Sequence, residues 1–575
     1  MARRWEIQTP DAAAAEALSR EVGVSPMLGA LLLARGVDTA EAARRFLSPS
    51  LKDLHDPGLM RGMEAAVERL VGALRRQEAV TVWGDYDVDG VTSTSLLKLF
   101  LQRIGLVCAY YIPSRMEEGY GLNAEGLRQI AASGTKLLVT VDCGSSDRDE
   151  IALARSMGLD VLVIDHHQVP EELPEALALL NPHQPGCGFP AKDLAAVGVA
   201  FNLIMALRTR LRQTGLFADC EEPNLREYLD LVALGTLADV VPLSDENRVV
   251  AQFGLRELAA GRRPGLAALK EVAGLRGGAV SAAQVVFRLA PRLNAIGRLG
   301  KADLAVELLT TSSYSRALAL ARELDQANSE RQAIEQGIFE EALRLAQAEL
   351  ERGDQGGLVL AGEGWHVGVV GIVASRLVDR FGCPVAMIAM QGEEGRGSAR
   401  GTDDVHLFEA LQGCAEHLVA FGGHRAAAGL TVRRERLEAF RRAFLHIIEK
   451  QRSGAKGGRA LRLDAEVPPG AWSVEAVGEM SALEPHGPGN PEPLFLGANL
   501  GVKSARVVGR EPPYHLKLLL QAGERTFDAI GFRLGDRLPH VLERMDVAYR
   551  PEVNAWEGNL GVQLRLVDFR LPGGG

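Results

Sequence analysis

The sequence predicts an α/β protein of several lobes: a parallel-sheet lobe, a long connecting helix, a second α/β lobe and a small C-terminal β-barrel. Three observations predict it. Between Glu78 and His167 short apolar runs alternate with helical stretches, the pattern of βαβ units and hence of a parallel sheet. Residues 316–352 hold no proline and only Gly337, and their apolar and charged positions alternate at helical spacing. From Ala460 onward, strand-like runs separated by turns take over. A chain of 575 residues also outgrows one core, since domains hold roughly 150 residues each.

Taken in order, residues 1–74 are rich in Ala, Leu, Glu and Arg, read as a helical N-terminal extension, and carry no chemistry. In residues 75–315 the strand candidates are AVTVWGDYD, LVCAYYIP, KLLVTVDCG and DVLVIDHH, with a helix expected from about Val91 and mostly helices after 195. The 316–352 helix reads as a solvated connector. Residues 353–453 start a second α/β pattern (GLVLAGEGW, GVVGIVASRL, PVAMIAM) and contain the Gly-rich stretches GEEGRGSARG and FGGHRAAAGL. The tract RSGAKGGR marks a linker, so residues 454–575 are expected to form the barrel lobe.

With 47% hydrophobic and 24% charged residues the composition is that of a folded globular protein and excludes a disordered or fibrous one. The start, MARRWEIQTPDAAAA, lacks the apolar core of a signal peptide, and apolar stretches such as Val197–Leu207 are too short to span a bilayer. A cytoplasmic protein with no membrane role is expected. Cysteines 108, 143, 187, 220, 383 and 414 never form CxxC and suit reduced thiols better than disulfides or structural zinc. The net charge of −10 argues against coating nucleic acid by bulk electrostatics, yet a local basic channel is compatible with it.

Chemistry concentrates in acidic residues at strand ends, where open α/β sheets bind their ligands. Asp85, Asp87 and Asp89 alternate in GDYDVDG, Asp142 closes VTVDCG, Asp165 opens DHH, and Asp239 ends the apolar stretch LDLVALGTLAD. Three close carboxylates repel one another unless cations neutralise them, so a metal site is the functional reading; a solvated acidic loop is the plain one. His166 and His167 are uncommon as core packing at a strand end and point to a metal or phosphate contact. Oxygen ligands mixed with imidazole suit Mn²⁺ or Mg²⁺ better than structural zinc. Two such ions, roughly 3.5–4 Å apart, would clamp the oxygens of an in-line displacement at a phosphate ester without a Ser or Cys nucleophile.

The elements DYDVDG, VDCG, DHH and ADVVPL resemble the motifs of the DHH phosphoesterase superfamily. IPSRMEEGYGLN, PRLNAIGR, GSAR, GGHRAAAG and PHGPGNPEPLF further resemble the RecJ-type single-strand-specific 5′→3′ exonucleases, a likeness running from about Trp83 to the C-terminus. The resemblance implies a DHH domain, a DHHA1 domain and an OB-fold. It implies that Asp87, Asp89, Asp142, His166 and Asp239 hold two ions of Mn²⁺ or Mg²⁺, with Asp142 between them, and that His167 faces the scissile phosphate. Asp85 and Asp165 are expected to orient the ligands. Arg115, Ser398 and Arg400 match residues that hold a terminal 5′-phosphate, and Arg298 one near the scissile bond; Arg suits bidentate phosphate contacts. Gly422 and Gly423 offer amides for close approach to phosphate, while His424 is either a contact or a buried structural residue. Gly401, where Ser is common, and Val367, where Pro is common, depart from the family pattern.

The last lobe carries Lys503, Arg506, Arg510, Lys517, Arg525, Arg533, Arg537, Arg544 and Arg550 with aromatics such as Tyr514, Phe527, Phe532, Tyr549 and Trp556, the make-up of an OB-fold that holds single strands. The expected function is a metal-dependent exonuclease that degrades single-stranded DNA to 5′-mononucleotides in repair and recombination. A phosphoesterase of short oligonucleotides or small phosphate esters is the alternative, and a DNA-binding scaffold without activity is a third reading. The family resemblance also implies work beside a helicase and a single-strand-binding protein, and a monomer is expected.

Overall fold

The computed structural model describes residues 4–114, 118–218, 220–298, 301–351, 356–452, 460–509, 514–556 and 559–573. The chain divides into two compact units: Ala15–Asn328 with Met480–Glu492, and Met1–Ala14 with Ser329–Glu479 and Pro493–Gly575. The first holds the acidic strand ends on which the sequence places the expected chemistry, and for that expectation is called the catalytic unit below.

The catalytic unit is built on five parallel strands, in the spatial order Cys108–Tyr111, Val80–Gly84, Leu137–Val141, Asp160–Ile164 and Ala178–Leu180. VTVWG and LLVTV are buried along their whole length, as strands covered by helices on both faces must be. Numbered along the chain, the order is 2-1-3-4-5, so strand connections depart in opposite directions between Val80–Gly84 and Leu137–Val141. A crevice opens at such a switch point, beyond the carboxyl ends of the strands. Asp85–Asp89 and Asp142 follow these two strands directly.

Helices Val88–Arg103, Ala196–Gln213 and Leu229–Ala238 pack into one core with the sheet. The first begins at Val88, ahead of the expected Val91, because the Asp87 side chain accepts the Asp89 and Gly90 amides and caps it. Helix Met63–Arg76 contributes Met63, Ala66, Val67, Leu70 and Val71 to the same core, so the end of the N-terminal extension is an integral part of this unit. The expected connector spans Tyr314–Leu350. It is more than a solvated rod: Leu320, Ala321 and Leu324 lie in the catalytic core, and Ile338, Ala342 and Ala346 in a core of the second unit.

The second unit holds a five-stranded mixed sheet, ordered Ala420–Gly423, Ala427–Arg433, Glu394–Arg400, Val385–Gln391 and Leu358–Glu363, in which only the last two strands are parallel. Helix Val367–Phe381 belongs to one apolar cluster with this sheet, and helix Leu437–Arg452 to another. Strands Phe495–Val508, His515–Ala522, Arg525–Gly531, Asn559–Arg570 and Arg544–Trp556 pair in that order, and the last returns to the first, closing a five-stranded barrel.

Two expectations need correction. The N-terminal extension is not wholly helical: Trp5–Ile7 forms a strand parallel to Leu461–Leu463, anchored by the Trp5 indole donating to Asp568 at 3.2 Å. Residues 480–492, assigned by sequence to the barrel lobe, group with the catalytic unit because Arg248 and Arg35 bind their backbone carbonyls. All six cysteines are free, as expected. Among the described residues no single helix is long and apolar enough to cross a membrane.

Candidate metal centre

The strand-end carboxylates do converge. Among the described residues, three sets of possible ligand atoms lie within 4.8 Å of one another: Asp85, Asp87 and Asp142; Asp142, His166 and His167; and Asp89, His166 and Asp239. Asp142 and His166 are each shared between two sets, which places Asp142 centrally. Asp85, expected only to orient others, stands among possible ligands.

Each carboxylate is fixed by its backbone surroundings. Asp89 is buried and accepts the Ala196 amide at 2.6 Å and the Val197 amide at 2.9 Å, at the N-terminus of helix Ala196–Gln213, where free amides and the helix dipole favour an anion. Asp239 is the C-cap of helix Leu229–Ala238. That helix lies close to Asp89 because Gly235 has no side chain; a Cβ there would come within 2.3 Å of Thr92 Oγ1 and 3.0 Å of Asp89 Oδ1. Asp142 adopts φ 62°, in the left-handed region that Asp tolerates better than most residues.

Burial raises the pKa of Asp89 and Asp142 above the usual carboxylate range, and the neighbouring carboxylates push the same way. Burial and Asp87 lift Asp239 to about 7. Metal-free, the cluster therefore disfavours its own ionised state. The two histidines are driven apart. Burial, aided by His167, lowers His166 to about 4, so its ring is neutral at pH 7 and free to ligate. For His167 burial works against the charge, but Asp165 overrides it and raises the ring to about 9.

Asp165 is bonded to this pair: it accepts the His167 ring Nδ1 at 2.8 Å, the His166 amide at 2.8 Å and the Ser145 amide at 3.0 Å. Its own pKa is held below the usual range by His167 and Ser145 in spite of burial. His166 Nε2 is buried 3.2 Å from Asp142 Oδ1 and has no hydrogen-bond partner among the described residues. A neutral imidazole nitrogen aimed without a hydrogen bond into clustered carboxylates fits a metal ligand, so the residues suit divalent cations.

The phosphate-binding candidates are distributed over both units. In the second unit Arg400 Nη1 donates to Ser398 Oγ at 2.7 Å and to the Ala399 carbonyl at 2.8 Å. Gly371, on helix Val367–Phe381, leaves them room: a Cβ there would stand 2.8 Å from Arg400 Nη2 and 2.9 Å from Ser398 Oγ. Ser398 pairs with Gly429, and Gly429 with Gly422, so Gly422 lies in the same cross-strand row. Gly423 has φ 136°, and His424 is exposed rather than a buried structural residue. Arg298 ends helix Ala290–Arg298 in the catalytic unit, whose Asn294 accepts the Val88 amide at 3.2 Å beside the Asp87 turn. Arg115 lies outside the described residues.

Sequence reasoning missed several residues. Asn181 is fully buried and donates to Ser145 Oγ at 3.0 Å and to the His167 carbonyl at 2.9 Å, tying together the turns that follow two strands. Tyr120 OH donates to the Asp142 carbonyl at 2.9 Å. Gly371 was signalled only by a glycine inside a helical run.

The family descriptions "DHH family, N-terminal domain", "DHHA1 domain" and "RecJ OB domain" match residues 79–236, 354–450 and 463–568. Curated relatives named single-stranded-DNA-specific exonuclease RecJ include those of Haemophilus influenzae, 37% identical over 96% of this chain and 98% of the relative, and Escherichia coli, 38% identical over 95% and 96%. The crystal structure of RecJ from Thermus thermophilus in complex with Mn²⁺ superposes with a TM-score of 0.84 at 31% identity, covering 99% of this chain and 80% of that one; the Mg²⁺ complex gives 0.79. Identity at this level along nearly the whole chain, on the same three domains, means that the chain belongs to the RecJ family of single-stranded-DNA-specific exonucleases.

Proposed function

We propose that the protein degrades single-stranded DNA from its 5′ end, releasing 5′-mononucleotides, in DNA repair and recombination. The meeting of Asp85–Asp89, Asp142, His166 and Asp239 at the sheet's switch point carries this reading. Asp87, Asp89, Asp142, His166 and Asp239 hold two ions of Mn²⁺ or Mg²⁺. When bound, the ions supply charge neutralisation and activation of the attacking water.

The chain's own residues do the rest. Asp165 keeps His167 protonated and turned through its Nδ1, so that the ring presents positive charge to the phosphate under attack. Water adds to phosphorus, the P–O3′ bond breaks, and the first nucleotide leaves with a free 3′-hydroxyl. The remaining strand then starts with a 5′-phosphate of its own, for which Ser398 and Arg400 are the contacts offered by the second unit; Arg115 is a further 5′-phosphate contact by family resemblance, and Arg298 one near the scissile bond. Gly422, Gly423 and His424 offer further phosphate contacts on the second unit. The closed barrel holds the strand beyond, which a phosphoesterase of short oligonucleotides would not require. A cytoplasmic monomer acting beside a helicase and a single-strand-binding protein completes the proposal.

The test is hydrolysis of 5′- and 3′-labelled single strands with Mn²⁺, against a duplex control. Mononucleotide release from the 5′ label first, with the duplex spared, is the expected outcome. Release from the 3′ label first would overturn the polarity.

A further inference from the structure

We infer that Ser481–Pro491, a stretch of the C-terminal sequence, is a positioning element of the metal centre, acting through Arg248, Gly489 and Asn490. Arg248 is 2% exposed, and among the described residues its hydrogen bonds go to backbone carbonyls. Its Nε donates to Phe46 O at 2.7 Å, its Nη1 to Leu483 O at 3.1 Å, and its Nη2 to Glu484 O at 3.0 Å and Ala482 O at 3.3 Å. The guanidinium also lies over the Phe46 ring, 3.7 Å from its centroid. A buried cation without such acceptors is expensive, so the segment and Arg248 require each other. Asn490, fully buried, closes the turn: its Nδ2 donates to Leu483 O at 2.6 Å and Pro485 O at 2.9 Å, and its Oδ1 accepts Arg35 Nε at 2.9 Å.

The segment bears on the loop that follows Asp239. The Leu243 amide donates to Pro488 O at 2.7 Å. Gly489, at φ 74°, lies on Pro242, where a Cβ would come within 3.3 Å of the proline ring. Between this grip and the metal centre stands Val240, an exposed β-branched residue at φ 63°. Such a residue rarely takes that conformation, and it persists only where the surroundings over-determine it. Pro488 and Gly489 supply that constraint from one side, and helix Leu229–Ala238 from the other. Released, Val240 would relax and carry the adjoining Asp239 with it. The grip also reaches a second ligand: Asn247 Nδ2 donates to Pro242 O at 3.0 Å and to Asp193 O at 2.6 Å, a few residues before the Ala196 and Val197 amides that hold Asp89.

The inference rests on the proposed ligand set, and the experiment separates the two. In the full chain, Gly489→Ala and Asn490→Ala are compared with Gly470→Ala, where a Cβ would meet open space. Calorimetric Mn²⁺ titration without substrate should show affinity lowered about ten-fold in the first two variants, as for other residues that orient metal ligands. The Mn²⁺ concentration for half-maximal hydrolysis of a short 5′-phosphorylated oligonucleotide should rise in step. Binding of a long single strand without metal, and every property of Gly470→Ala, should match wild type. Unchanged Mn²⁺ affinity in both variants overturns the inference, as does a general loss of folding in both, which would make the segment a stability element only. Wild-type protein that takes up no Mn²⁺ would instead fail the ligand set itself.

Discussion

At the ends of the parallel strands, carboxylates are gathered against their mutual repulsion and held by backbone amides, whereas in the second unit Arg400 rests on the Ser398 hydroxyl and a backbone carbonyl. The first site is incomplete without cations, because burial and neighbouring carboxylates lift Asp89, Asp142 and Asp239 out of the usual range. The second pairs a donor with acceptors and stores no such opposition. A site that stores repulsion should gain stability when a charge is removed and lose its chemistry, while a site without stored repulsion should lose only selectivity.

The largest expected effect is that of Asp142→Asn. Hydrolysis should fall about 10³-fold, the scale seen when a preorganised electrostatic contact is lost. The metal-free protein should melt no lower than wild type at pH 7. Its raised pKa means that the folded state disfavours the ionised carboxylate, a penalty present above the usual carboxylate pKa and absent in the amide. Turnover near wild type, or a lower metal-free melting temperature, would break the comparison. Next in size is Arg400→Ala. It should narrow the preference for 5′-phosphorylated over 5′-hydroxyl strands by roughly ten-fold, the order of one charge-assisted hydrogen bond, with little change in melting temperature. Equal discrimination by variant and wild type in parallel rate assays would move the phosphate cradle elsewhere.

The smallest effect sharpens the first site internally. Asp165 raises His167 from 6.5 to about 9. This contribution to stability is complete below 6.5 and is lost as pH rises through 9. In metal-free Asp165→Asn the imidazole resonance of His167 should titrate nearer 6.5, and the decline in stability between those values should flatten. A midpoint still near 9 in the NMR titration would show that another group holds the proton.

What the sequence made legible follows from cost. Asp85, Asp87, Asp89 and the DHH triplet stand out because charges directly after fully apolar strands have nowhere neutral to go. Asp239 is legible for the same reason at the end of LDLVALGTLA. Asn181 and Asn294 stayed hidden because they are uncharged and their partners lie far along the chain, Ser145 for one and Val88 for the other. The Trp5–Ile7 strand is three residues long and finds its partner at Leu461–Leu463, so no local periodicity announces it. The docking of residues 480–492 onto Arg248 was hidden likewise, since an arginine in DENRVVAQ looks like a helix-surface charge until its carbonyl partners are known. Membership of the DHHA1 and OB domains was readable through whole motifs, not through any single residue.

The raised pKa values of the strand-end carboxylates make protons the competitors of cations at this centre. Asp239 is lifted to about 7 by burial and Asp87, and Asp89 and Asp142 are shifted in the same direction, so all three hold protons more readily than ordinary carboxylates. Cations must displace those protons, so loading the centre is an ion exchange that acidifies its surroundings. Apparent affinity for the metals should therefore climb with pH, and a fall in pH should favour protons over cations at these carboxylates.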